Sequence, residues 1–120
     1  MTTIIITKHF QKDLDKIKSI TIHDIVGEIK KYKKGLNNLI ELYSPAPHSS
    51  ILKGYLNRKK IRVIMLLKIK EDMFAPILIE KKESKYGYNL SKETAMEIIE
   101  QKSINILNDI YEHNFTKTIF

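Results

Sequence analysis

The chain has 120 residues, of which 42% are apolar, and it carries 21 Lys+Arg against 14 Asp+Glu for a net charge of +7. A chain of this length buries roughly 65% of its unfolded surface, enough for one domain spanning 1–120 without a covalent or metal staple. The absence of cysteine excludes a disulfide scaffold, thiolate zinc sites and cysteine nucleophiles, and the histidines (His9, His23, His48 and His113) lack metal-ligand spacing, so neither metal nor cofactor is expected.

In chain order, Met1–Thr7 shows no basic leader or cleavage site, which predicts a cytoplasmic protein. Thr2–Thr7 is β-branched, and its three isoleucines predict a strand buried on both faces. Phe10, Leu14 and Ile17 then follow helical spacing over about 8–18. Ser19 or Thr21 can cap a second helix, with Asp24 in its first turn and the stripe Ile22, Ile25, Val26, Ile29 and Tyr32. Gly35 stops that helix, completing an αα-hairpin. Leu39–Tyr43 suits a helix end or a strand, and 44–50 is a Pro/Ser loop that contains His48.

Three strands are predicted next: Ile51–Leu56, Ile61–Ile69 and Phe74–Lys82. Pro76 places the third at a sheet edge or on a bulge. After a loop at 84–89, Ser91 caps a C-terminal helix over 91–113, in which Ala95, Ile98, Ile99, Ile106, Leu107 and Ile110 keep helical spacing. His113 suits the dipole at its end, and Thr116–Phe120 reads as a short apolar tail. The longest apolar runs are too short to span a bilayer, so no membrane partner is expected. The expected fold is α+β: an antiparallel sheet of four to five strands, an N-terminal αα-hairpin and a C-terminal helix.

Charge is unevenly spread. Residues 53–90 hold ten cations and four acids, whereas residues 91–120 hold three cations and five acids. A basic surplus on a strand meander points to an anionic partner, although a lysine-rich coding bias would also produce it. No glycine-rich phosphate loop, His-x-x-x-His or Gly-x-Ser-x-Gly occurs. The remaining constellation is cationic: Lys53, then Arg62 opening the central strand, then Lys81 and Lys82, with Tyr86 and Tyr88 flanking Gly87. Alternation puts Arg62, Ile64, Leu66 and Lys68 on one face. The other face, Ile61, Val63, Met65 and Leu67, is wholly apolar and is expected to carry the helices. Cations beside a tyrosine can hold an RNA backbone and stack a base. They can also promote attack of a 2′-hydroxyl on its neighbouring phosphate: fixed charge neutralises the phosphorane, and a depressed lysine or a tyrosine moves the proton. Arg62 equally suits a structural ion pair with Glu80 or Glu41.

The order of strand, αα-hairpin and basic meander resembles the RelE/ParE superfamily of bacterial type II toxins. The resembling segments are Phe10–Ile17, Leu52-Lys53-Gly54, Lys60–Ile64 and Pro76–Lys82. In order and spacing the resemblance covers residues 1–90. It implies a RelE-like fold and a metal-independent endoribonuclease, an mRNA interferase acting on the ribosome and neutralised by an acidic antitoxin. Carried over, Lys53 and Arg62 clamp the scissile phosphate, Lys82 stands where relatives have arginine, and Tyr88 stacks a base or transfers a proton. Arg58, Lys59, Lys60, Lys81 and Tyr86 would line the RNA path. The implied assemblies are a homodimer or a toxin–antitoxin hetero-oligomer. Two alternatives stand beside this: a ParE-like inhibitor of DNA gyrase, and a basic RNA- or protein-binding module without activity.

Overall fold

Thr7 ends one element and starts the next. Strand β1 (Thr3–Thr7) passes directly into helix α1 (Lys8–Asp15), whose Phe10 N–H donates to Thr7 Oγ1 at 3.2 Å. The computed structural model describes residues 1–44, 49–57, 61–70, 72–81 and 92–120. Helix α1 is shorter than its periodicity predicts. After Asp15 the chain unwinds into turns, with Ile17 N–H on the Leu14 carbonyl at 2.9 Å, and these carry Ile20 into the core at 3% exposure. Helix α2 (Ile22–Lys33) starts where Asp24 accepts the Thr21 backbone N–H at 2.8 Å. It ends in a Schellman turn: Leu36 N–H reaches the Lys31 carbonyl, Gly35 N–H reaches that of Tyr32, and Gly35 takes the left-handed φ of 90°.

Four antiparallel strands follow: β2 (Leu39–Tyr43), β3 (Ser50–Asn57), β4 (Ile61–Lys70) and β5 (Met73–Lys81). Helix α3 (Lys92–Tyr111) then leads into β6 (Phe115–Ile119). His113 makes that reversal in the left-handed region at φ 58°, with Asn114 N–H on the Asp109 carbonyl.

The fold is α+β, but the sheet differs from the expected antiparallel set of four to five strands. It has six strands in the order β2-β3-β4-β5-β1-β6 and is mixed. Four alternating strands leave β5 running the same way as β1, so the two pair in parallel, Thr3 opposite Met73 and Ile4 opposite Phe74. The segment expected to be a tail is β6, which pairs antiparallel with all five residues of β1. Its side chains are half-buried or exposed, so it shows no burial pattern and is held by backbone hydrogen bonds to β1. Strand β1 is therefore internal, and Ile4, Ile5 and Ile6 are all buried, as their run predicts.

Pro76 sits on an internal strand and not at an edge. The alternative of a bulge holds: Met65 pairs with Leu78 and Leu66 with Pro76, leaving Ile77 as the extra residue. The bulge turns Ile77 and Leu78, consecutive in sequence, into one cluster with Ile51 and Met65, against Ile106 of α3. On the opposite face Ile4, Ile6, Leu52, Ile64, Leu66, Phe74 and Ile79 pack with Phe10 and Leu14 of α1 and Ile25, Val26 and Ile29 of α2. The sheet thus lies between the hairpin and α3. No helix among the described residues is long and apolar enough to cross a membrane.

A polar contact joins the helices around the sheet. Asp109 of α3, 3% exposed, accepts both the His9 backbone N–H at 2.8 Å and His9 Nδ1 at 2.7 Å. It thereby satisfies a free donor in the first turn of α1. Nearby, Lys102 of α3 pairs with Asp13 of α1 at 3.1 Å.

Two predictions follow from this packing. A Cβ on buried Gly54 would stand 2.4 Å from Leu39 Cδ2 and 3.0 Å from the Asn38 carbonyl oxygen, and Leu39 is itself in the core. Gly54→Ala should cost about 1–3 kcal/mol, read as a lower urea midpoint with an unchanged slope. The second concerns Asp109. Burial raises its carboxyl, but the His9 side-chain and backbone hydrogen bonds, with the nearby charges of His9 and Lys8, outweigh this and hold it below the ordinary carboxylate value. The native state therefore binds this proton less tightly than the unfolded chain. The stabilisation is complete above the unfolded carboxylate pKa and is lost as pH falls through the lowered native value. Urea midpoints measured from pH 7 down to pH ~2 should fall less steeply for Asp109→Asn than for the parent.

Candidate nucleic-acid interface

The alternate rows of β4 meet different layers. Ile64 and Leu66 face the hairpin, and at the end of their row Lys68 Nζ lies 3.4 Å from Tyr32 Oη and 5.7 Å from its ring centroid. The expectation of an open cationic face along Arg62–Lys68 is corrected from Ile64 onward: the N-terminal helices pack on Ile64 and Leu66, and Lys68 lies against Tyr32. The reason is the interior of the row, since two consecutive row positions are fully apolar and continue into Leu52, Leu56 and Ile79 on the neighbouring strands. The row of Val63, Met65 and Leu67 lies on the face that α3 packs against.

Part of that second face, on β2 and β3, is exposed among the described residues. Lys53 pairs with Met65 on one side and Ile40 on the other, so these three positions share the face. Tyr55, two residues on, pairs with Val63 and joins them. Ile40 is 63% exposed, Tyr55 is 37% exposed, and Lys53 Nζ lies 5.3 Å from the Tyr55 ring centroid. A cation held over an exposed aromatic edge can bind a phosphate while the ring contacts a base or sugar. Tyr55 was not among the residues expected from sequence, although its spacing in Lys53-Gly54-Tyr55 signals a shared face.

Arg62 lies at the second position of β4, opposite Leu56 on β3 and Lys81 on β5. Its backbone position is in the row of Ile64, whereas Lys53 is in the alternate row. The register thus brings positions 62 and 81 together and separates both from position 53. Glu80, one proposed ion-pair partner of Arg62, is opposite Val63 in the row of Lys53. Glu41, the other, accepts a hydrogen bond from Ser50 Oγ. Arg58, Lys59, Lys60, Lys82, Tyr86 and Tyr88, together with His48, lie outside the described residues.

A groove of about 370 Å³ lies beside Tyr55, lined by His23, Asp24, Gly27, Glu28, Lys31 and Leu56. It forms because β2 begins at Leu39, opposite Gly54, leaving the end of β3 without that neighbour. Its acids and bases are mixed, and Lys31 pairs with Glu28 at 3.2 Å, so the groove itself gives no phosphate preference. No protein-family model, curated protein or solved structure matches this chain.

Proposed function

We propose that the chain is a RelE-like toxin: a metal-independent endoribonuclease that cleaves mRNA on the ribosome and is neutralised by an acidic antitoxin. The observation that carries this reading is the element order, a first strand, two helices and then a four-strand antiparallel meander, with ten cations against four acids over residues 53–90. In this reading Lys53, Arg62 and Lys82 surround the scissile phosphate, and Tyr88 stacks a base or moves a proton. The 2′-oxygen forms a bond to phosphorus as its proton passes to a base, and the bond to the 5′-oxygen breaks as that oxygen takes up a proton. The products are a 2′,3′-cyclic phosphate and a 5′-hydroxyl. The cations stabilise the doubly charged phosphorane between these steps. Tyr55 joins the set as a base-contacting ring beside Lys53.

One observation favours a second reading. Positions 53 and 62 occupy alternate rows, so a single phosphate is reached by both only if the arginine extends around the sheet end. A ParE-like toxin that acts by binding DNA gyrase needs no such convergence.

Expression of the chain alone should arrest growth and leave mRNA fragments ending in 2′,3′-cyclic phosphate. Lys53→Ala and Arg62→Ala should each lower cleavage by about 10²–10³-fold, the cost of one donor to a developing anion. Growth arrest without fragments, persisting in both variants at equal soluble level, selects the gyrase reading instead. A further comparison locates the third cation: Lys82→Ala should reduce cleavage more than Lys81→Ala, and the reverse order would move the phosphate to the Arg62–Lys81 row.

A further inference from the structure

A second cluster of charged side chains lies where α1 crosses α3, away from the Lys53 face. His9, Lys12, Asp13 and Lys16 repeat at helical spacing along one side of α1. Lys102, Asn105, Ile106 and Asp109 do the same on α3. All of these except Asp109, which sits behind His9, line a cleft of about 240 Å³ together with Phe10 and Ile77.

The cleft is built and not merely lined. Asp109 is 5% exposed at its side chain and holds the His9 ring through Nδ1, while 44% of the His9 side chain remains exposed. An ionised carboxylate only accepts hydrogen bonds, so Nδ1 carries a hydrogen in this contact and Nε2 is left to a further partner. His9 Nε2 has no partner among the described residues. Capping α1 requires only the bond from Asp109 to the His9 backbone N–H. The second bond, to the ring, adds nothing to that cap and fixes the direction of the imidazole.

The electrostatics favour an anion. Asp13, the one acid on the α1 side of the cleft, is neutralised by Lys102 at 3.1 Å. Lys12 and Lys16 are exposed and form no ion pair among the described residues. With Asp109 bonded to His9, the unmatched charge in the cleft is positive. Lys12, Lys16, His9 and Asn105 all line the cleft, and ammonium, imidazole and amide N–H groups together suit an oxyanion with several acceptor oxygens.

We propose that the α1–α3 cleft is a phosphate-binding site, with Lys12, Lys16 and Asn105 as its donors, the imidazole of His9 as a further contact and Asp109 as the residue that positions that ring. The site shares no residue with the Lys53–Tyr88 set, so it stands whether or not the chain cleaves RNA.

The test uses the full chain and inorganic phosphate as the probe. Histidine ring and backbone amide resonances are followed by NMR at fixed pH, with sodium chloride of matched ionic strength as the control. Saturable shifts at the His9 ring and at residues 9–16 and 102–109, absent with chloride, are expected. Lys12→Ala/Lys16→Ala should weaken binding about tenfold or more while leaving the urea midpoint unchanged, because both side chains are exposed. No saturable shift in the millimolar range, or equal affinity in the double variant, overturns the proposal. Titrations with a nucleoside 5′-monophosphate and a dinucleoside monophosphate then identify the source of the phosphate: a terminal monoester if the first binds tighter, a nucleic-acid backbone if the second does.

Discussion

Strand β1 is paired on both sides, and the rest of the structure depends on that. Its parallel ladder to β5 attaches the N-terminal segment to the meander, and its antiparallel ladder to β6 attaches the C-terminal segment. Three isoleucines in succession then serve two layers, with Ile4 and Ile6 toward the hairpin and Ile5 on the other face. Because β1 passes straight into α1, its position also sets where that helix starts, and so where His9 meets Asp109. One short strand thus ties both ends of the chain to the sheet.

Elements with strong local signals were legible in the sequence. The isoleucine run, the α2 stripe with its Asp24 and Gly35 ends, and the three long meander strands appear close to where periodicity puts them. The early end of α1 was not legible, because Ile17 continues its helical spacing while the chain in fact turns to bury Ile20. Strand β6 was missed because its partner is more than a hundred residues away and its side chains are largely exposed. Pro76 was informative about local geometry but not about position: a bulge lets a proline lie inside a sheet, since the ladder is already interrupted there.

The cationic constellation could be named from the sequence, whereas its placement in the sheet could not. Alternation correctly separated the two rows of β4, but it assigned the helices to the wholly apolar row, which α3 meets, whereas the hairpin packs on the other. An apolar row bounded by cations can be covered as readily as one without them, because the long lysine stem lets the charge reach past the covering helix, as Lys68 does beside Tyr32. Lys53 was singled out as a candidate from its type and Tyr55 was passed over, yet the register places both on the same face. The His9–Asp109 pair had no sequence signal, since its members are a hundred positions apart.

The order of strands along the sheet also sets a constraint in time. The first strand of this chain finds its parallel neighbour only after β5 has been made, and its outer neighbour only after β6. Until then Ile4, Ile5 and Ile6 belong to an unpaired, β-branched segment that exposes open backbone on both edges. Non-local pairing of this kind slows folding, and it leaves a sticky template available during synthesis. The hairpin that follows β1 offers an early shelter for one of its faces, whereas the face of Ile5 stays open until α3 arrives.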